Sequence, residues 1–370
     1  MLPKRWGDSE NRRLGVVMDP RKQYKGALKD YPLTNYPDYE PGRPPRSERL
    51  EKIGFLDEVE KIWGSRWGGS GGIGRLREVA LIKPTQHEVD PLWEKDRNFF
   101  LLRRVRVDID RLTRAFEDYA KVLESLGVRV RWMESPQTWG AYGPMRKLFM
   151  GAFPLVIKGG AIVSRQGQAS FMRGVEVNFT KFFASINCPI LHTIHGYGIC
   201  EVGVFVPLAE DIILGYKSCA SNDDGLEQVL SVFKRSNVKE VPIAHSTTIM
   251  DDFEAGGEFH VDMVVGVVDV RRVLVYPGYL DYNLYQWFKQ RKFQIIEVPR
   301  DEHHRYYPAN LMLIEPGKVI MAKGATETIR RVREAGVEVI ELDTAGLMAG
   351  TNGIRCVTLP LVRDPGPGLD

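Results

Sequence analysis

The sequence predicts an α/β fold: a ring or propeller-like array of about five repeated units, each running strand–strand–helix–strand. Three observations predict it. Apolar runs recur in pairs with a turn between them. A helix-like stretch and another short strand follow most pairs. The turns, near residues 159, 209, 270 and 316, fall at a roughly regular period. A supersecondary unit repeated in this way is the signature of an array in which each unit buries its face on the next.

Residues 1–75 stand apart from this pattern and read as an N-terminal extension. They hold Pro20, Pro32, Pro37, Pro41, Pro44 and Pro45, many charges and few apolar periods. Leu50, Ile53, Leu56, Val59 and Ile62 recur at spacing three, which predicts a helix within Ser47 to Trp63. Trp67-Gly-Gly-Ser-Gly-Gly-Ile-Gly74 reads as a flexible linker. It does not read as a phosphate cradle, because no Lys-Ser/Thr follows.

From Arg75 onward the strands begin, opening with Val79-Ala-Leu-Ile-Lys. Arg111 to Leu126 predicts a helix leading to Val128-Arg-Val. Pro154-Leu-Val-Ile and Ala161-Ile-Val-Ser form the first hairpin. Val202-Gly-Val-Phe-Val and Ile212-Ile-Leu-Gly-Tyr form the second, followed by a helix from Gly225 to Ser236. Met263-Val-Val-Gly-Val and Val273-Leu-Val-Tyr form the third, with a helix from Leu280 to Lys292. Leu311-Met-Leu-Ile and Val319-Ile-Met-Ala form the fourth, with a helix from Ala325 to Ala335. A two-domain sandwich explains the strands but not the helix after each hairpin. A dinucleotide-binding fold needs a GxGxxG turn between strand and helix, and none stands there.

Composition narrows the function. At 370 residues the chain is long enough for two ordinary domains or one large repetitive one. Apolar residues at 43% and charged residues at 27% are those of a globular protein. A net charge of +3 implies no nucleic-acid partner. No apolar run is long enough to span a bilayer, and the N-terminus has no secretory core, so a cytoplasmic protein away from membranes is expected. Cysteines 188, 200, 219 and 356 form no CxxC pair and no disulfide scaffold. Three buried thiols and one special one is the plain expectation.

Three segments carry candidate chemistry. In Gly350-Thr-Asn-Gly-Ile-Arg-Cys356, small turn-forming residues lead into a cysteine that begins a strand-like run. A nucleophile after a glycine turn is open to close approach, and Arg355 beside it would lower the thiol pKa. A buried core cysteine is the plainer account of the same pattern. His260 and Asp262, two apart, would face one side of a strand, so that a carboxylate can orient an imidazole for acid/base work. A simple hydrogen-bonded strand pair is the alternative. Glu201 sits in an apolar run, where an acid must be paired or functional. Cys200 is a rival nucleophile, but no glycine turn exposes it. His303 and His304 are adjacent and would point apart on a strand, which reads as a surface pair rather than a metal site.

Together these segments resemble the guanidino-group-modifying enzymes: arginine deiminases, dimethylarginine hydrolases and amidinotransferases. The likeness rests on His260-Val-Asp262, on Glu201 opening the preceding repeat, and on Gly353-Ile-Arg-Cys-Val-Thr-Leu-Pro360. Leu76-Arg-Glu-Val-Ala-Leu-Ile-Lys-Pro84, Arg173-Gly-Val-Glu176 and Ala309-Asn-Leu-Met-Leu313 are similar to further family segments. It covers residues 76–364 and implies a five-bladed α/β propeller, the pentein fold, built of ββαβ repeats and spanning 76–370. It implies Cys356 as nucleophile, His260 as acid/base and Glu201 as its support. It places Asp262, Arg173, Glu176 and Asn352 on the substrate, with no cofactor and no metal.

The sequence also departs from the family. Glu201-Val-Gly-Val204 lacks the second acid of Glu-Gly-Gly-Asp, and Leu148-Phe-Met-Gly-Ala-Phe-Pro154 lacks an Arg-Asp pair. Those carboxylates would clamp a guanidinium. The expected substrate is therefore not arginine but a neutral or weakly basic planar group bearing a leaving group, for example a substituted amidine or a 2-substituted imidazole such as a nitroimidazole. The expected activity is hydrolysis through a covalent thiouronium-type intermediate. An amidinotransferase, or a silent binding protein on the same scaffold, are the alternatives. Trp6, Tyr24, Tyr31, Tyr36 and Tyr39 suggest that the extension covers a neighbouring subunit of a homo-oligomer or caps the active-site mouth.

Overall fold

The computed structural model describes residues 54–84, 108–134, 154–166, 174–218, 220–245, 260–349 and 353–369. Residues Phe55–Asp370 form one compact unit. Among its described residues fifteen strands make five three-stranded sheets, the five blades expected from the repeats.

The blades share one logic. Blade two holds β3 (Pro154–Ile157), β4 (Gly160–Val163) and β5 (Ile190–Thr193). The β3–β4 pair is an antiparallel hairpin with Leu155 opposite Ile162. β5 runs parallel to β4, and a parallel pair needs a crossover, supplied by the helix Val175–Ser185. Blade three repeats this with β6 (Val206–Ala209), β7 (Ile212–Lys217), the helix Asp223–Arg235 and β8 (Ile243–His245). Blade four uses β9 (Val265–Asp269), β10 (Arg272–Val275), the helix Tyr282–Gln290 and β11 (Gln294–Glu297). Blade five uses β12 (Met312–Glu315), β13 (Lys318–Ala322), the helix Thr326–Glu334 and β14 (Glu338–Leu342). Blade one is completed from both ends of the unit. β1 (Leu76–Ile82) pairs in parallel with β2 (Arg129–Met133) after the helix Ile109–Ser125, and antiparallel with β15 (Leu359–Arg363). The last strand thus closes the ring.

Local chemistry explains the elements. Middle strands such as β4 are buried on both faces and read as short continuous apolar runs. The helix Ile109–Ser125 buries Leu112, Phe116, Tyr119, Ala120 and Leu123, one stripe at helical spacing. Asp108, Asn222 and Asp281 cap their helices by accepting backbone N–H bonds.

Several expectations are corrected. The glycine run is no flexible linker. Trp67 is buried, Gly68 and Gly69 donate N–H bonds to the Leu361 carbonyl at 3.1 and 3.0 Å, and Ser70 donates to Val156 at 2.7 Å. A Cβ on Gly69 would lie 2.2 Å from the Pro360 carbonyl carbon, so glycine is needed for close packing on β15 rather than for flexibility. The packed body begins at Phe55, whose helix Phe55–Trp63 is the described end of the predicted Ser47–Trp63 helix. Residues 47–53 lie outside the described set, as does the aromatic-rich part of the extension. His303 and His304 sit on a helix, Arg300–Tyr306, not a strand. His303 is buried and stacks on Tyr276 with ring centroids 3.8 Å apart, so it is no surface residue.

Arg363 ties the ring together. This buried guanidinium donates to the carbonyls of Gly69 at 2.9 Å, Gly74 at 2.8 Å and Leu313 at 2.6 Å. It joins the closing strand, the glycine run and blade five. Burial holds its pKa down at about 9. Among the described residues no helix is long and apolar enough to cross a membrane.

Candidate active site

The connections between blades bring the polar residues together. Four of the five, those described, each deposit a side chain within a few residues of the next blade's first strand: Glu201 before β6, His260 before β9, Asn310 before β12 and Cys356 before β15. The first strands β15 and β3, β6 and β9, and β9 and β12 pack on one another, which brings these positions toward one end of the ring.

Glu201 is placed by a pinned loop. Arg165 donates to the carbonyls of Gly196 and Gly198, both at 3.0 Å, and Asn222 accepts from Ile199 N–H at 2.8 Å. The Glu201 N–H bonds to Ala220 at 3.0 Å, and a 3-10 turn, Val202–Val204, follows. The strand expected over 202–206 therefore starts later, at Val206. The carboxylate is buried and lies 2.8 Å from His260 Nε2.

His260 precedes a short helix, Val261–Val264, rather than sitting in a strand. His260 and Asp262 therefore do not share a strand face. His260 turns to Glu201, while Asp262 turns to Arg355 and Asn310. Arg355 Nη1 is 2.7 Å from Asp262 Oδ2. Asn310 Nδ2 donates to Asp262 Oδ2 at 3.1 Å and to its backbone carbonyl at 3.3 Å.

Cys356 is buried in a turn before the closing strand. Its N–H and that of Arg355 both donate to Asn310 Oδ1, at 3.2 and 2.9 Å. Its sulfur lies 3.8 Å from Met263 Sδ, and Met263 N–H bonds the His260 carbonyl at 3.1 Å. The nucleophile candidate is thus packed on the same turn that carries His260 and Asp262. A Cβ on Gly353 would lie 2.1 Å from Asn310 Oδ1. The glycine before the cysteine makes room for this asparagine. Below the site, Tyr119 bonds Thr358 at 2.9 Å, and Thr358 bonds back to Ile354 at 2.7 Å.

Burial pushes the Cys356 thiol up to about 12, and the Asp262 charge adds to this. The Gly353 backbone, Arg355 and Asn310 oppose the rise without overcoming it. Arg355 pulls the thiol pKa down as its position beside the cysteine suggests, but burial outweighs that pull. The rival Cys200 is buried deeper and its thiol is also raised, chiefly by burial and also by Glu201 beside it.

Other expected residues stand as follows. The Glu176 carboxylate accepts the Gly174 N–H at 2.7 Å, at the start of its own helix. Arg173 and Asn352 lie outside the described residues. Asn310 was not singled out from sequence. Its signal was a lone amide in Ala309-Asn-Leu-Met-Leu, placed before a blade as His260 is. Among the described residues no His, Cys, Asp and Glu group is arranged to hold a metal ion.

The arginine deiminase family profile matches residues 277–363. A 2-nitroimidazole nitrohydrolase from Mycobacterium sp. (strain JS330) is 28% identical over 371 residues, covering 96% of this chain and 97% of that protein. The solved structure of an amidinotransferase from Microseira wollei, of the saxitoxin pathway, superposes with a TM-score of 0.66 at 15% identity, covering 82% of this chain and 99% of that one. The chain has the pentein fold, the fold of the guanidino-group-modifying enzymes. A dimethylarginine dimethylaminohydrolase from Pseudomonas aeruginosa shares the same pentein fold, at a TM-score of 0.61 and 18% identity over 77% of this chain and 99% of that one.

Proposed function

We propose that this pentein is a cysteine-dependent hydrolase that displaces a leaving group from a planar amidine-like carbon, with 2-nitroimidazoles as its substrate class. The observation that carries the reading is the convergence of Cys356, the Glu201–His260 pair and Asp262 on one end of the ring. The full-length similarity to a 2-nitroimidazole nitrohydrolase supports the substrate.

The chemistry follows from the residues. Cys356 rests as a thiol, so its proton passes to solvent as Sγ bonds to C2 of the ring. The C2–nitro bond then breaks and nitrite departs with its electron pair. Glu201 accepts from His260 Nε2 and so fixes the ring orientation. His260 next takes a proton from water as its oxygen bonds to C2, and the C2–S bond breaks to return the thiol. One water is consumed, and nitrite, a proton and the 2-hydroxyimidazole (imidazolone) leave. Asp262 would orient a ring N–H.

The test is product analysis with purified enzyme and 2-nitroimidazole. One nitrite per imidazolone, with oxygen from labelled water, is expected, and Cys356→Ser should abolish both while leaving the fold intact. Turnover that persists in Cys356→Ser and disappears in Cys200→Ser would overturn the assignment.

A further inference from the structure

Resting on that reading, we infer that Arg355 sets the charge specificity of the site and selects an uncharged planar substrate. Two observations carry this. First, the chain brings its own guanidinium to the carboxylate. Arg355 lies 2.7 Å from Asp262 Oδ2, and the two side chains are only 13% and 2% exposed. Arg355 is also held by the Phe205 carbonyl, on the same connection as Glu201. Second, the hydrogen bonds on Asp262 are one-sided. Oδ2 is taken by Arg355 and Asn310. Oδ1 is buried and receives no hydrogen bond among the described residues.

A guanidinium or amidinium cation docks on a carboxylate as a fork, with two parallel N–H bonds. Asp262 has one oxygen without a hydrogen bond among the described residues, so the fork cannot form unless Arg355 is expelled. Expulsion would strand a mostly buried cation beside an incoming one, and like charges repel strongly in such a medium. A neutral ring needs only one acceptor. Its N–H can donate to Oδ1 while Arg355 stays in place. As sulfur adds to the ring carbon, electron density moves toward the ring and the leaving group, and the retained guanidinium favours it. The pair therefore passes a neutral donor of one N–H and rejects a cation of the same shape.

The test uses two ligands of one outline: 2-nitroimidazole, and 2-aminoimidazole, which is a guanidinium-like cation at neutral pH. Calorimetry in the Cys356→Ser protein should show clear preference for the nitro compound. Adding Arg355→Gln, which keeps a donor but removes the charge, should narrow that preference by roughly tenfold or more, mainly through tighter binding of the cation. Arg355→Lys should keep the rejection. If the glutamine variant fails to fold, the Cys356→Ser protein alone decides: affinity for 2-aminoimidazole should rise as pH rises and the ligand loses its charge. A preference unmoved by Arg355→Gln, or an affinity that does not follow the ligand's neutral fraction, overturns the inference. If 2-nitroimidazole neither binds nor forms an adduct on Cys356 of the unmodified enzyme, the underlying catalytic reading falls with it. Binding and adduct with indifferent charge preference sink only the role of Arg355.

Discussion

Asn310→Asp is the most revealing single change in the site. The substitution keeps the shape, and its Oδ1 can still accept the N–H groups of Arg355 and Cys356, now at 2.9 and 3.2 Å. It removes the donor to Asp262 and sets a second carboxylate 3.1 Å from Asp262 Oδ2. A hydrogen bond to a charged group contributes about 1.5–3 kcal/mol. If that support is realised in the transition state, kcat/KM falls roughly 10- to 150-fold at neutral pH. The pH sign follows from the pair. Two carboxylates sharing a site raise one pKa, so on acidification the introduced carboxyl gains a proton and becomes a donor again. The variant-to-wild-type ratio of kcat/KM should therefore rise as pH falls from 8 to 5, while Asn310→Leu shows no such recovery. Nitrite release measured across that range is the assay. A wild-type rate in Asn310→Leu, or a ratio in Asn310→Asp that is flat with pH, would refute the positioning role.

Other predictions follow from the same contacts. His260→Ala and Glu201→Gln should each lower kcat by about 10²-fold or more, the scale of lost acid/base catalysis, and the double variant should be no worse than the poorer single one; additive losses measured by steady-state kinetics would show independent roles. Because the Cys356 thiol is raised to about 12, its thiolate fraction grows tenfold per pH unit below that value. Alkylation by iodoacetamide, followed on the Cys356 peptide, should thus accelerate with no plateau from pH 7 to 10, and Asp262→Asn should speed it at fixed pH by removing a charge that raises the pKa. Arg363→Met leaves several buried carbonyls without donors and should cost about 3 kcal/mol or more in urea unfolding, since each stranded group costs roughly 1–3 kcal/mol; an unchanged midpoint would mean that the latch contributes nothing.

Much of the ring was legible because hairpins and helices repeat in order, and four hairpin turns stand where the apolar runs placed them. The helix Val175–Ser185 was not singled out, since an exposed Val177 and a buried Asn178 break the amphipathic pattern that Phe179, Phe182 and Phe183 follow. The glycine run misled for a physical reason. Glycine marks both mobile chain and tight packing, and only the distance from Gly69 to Pro360 separates the two. In the site, residue types were readable but their partners were not. His260 and Asp262 have a strand-like spacing, yet a helical turn sends one to Glu201 and the other to Arg355. Asn310 was hidden because its role lies in contacts with residues 45 and 46 positions later. The downward pull of Arg355 on the thiol was legible in sequence, whereas the larger upward push of burial was not.

The most direct measurement is rapid-quench mass spectrometry of the enzyme mixed with 2-nitroimidazole, with peptide mapping of any adduct. The account predicts a transient imidazolyl adduct on Cys356 that forms with the nitrite burst and decays as imidazolone appears. Full turnover with no label on Cys356 at any time, or with label on Cys200 instead, would contradict it.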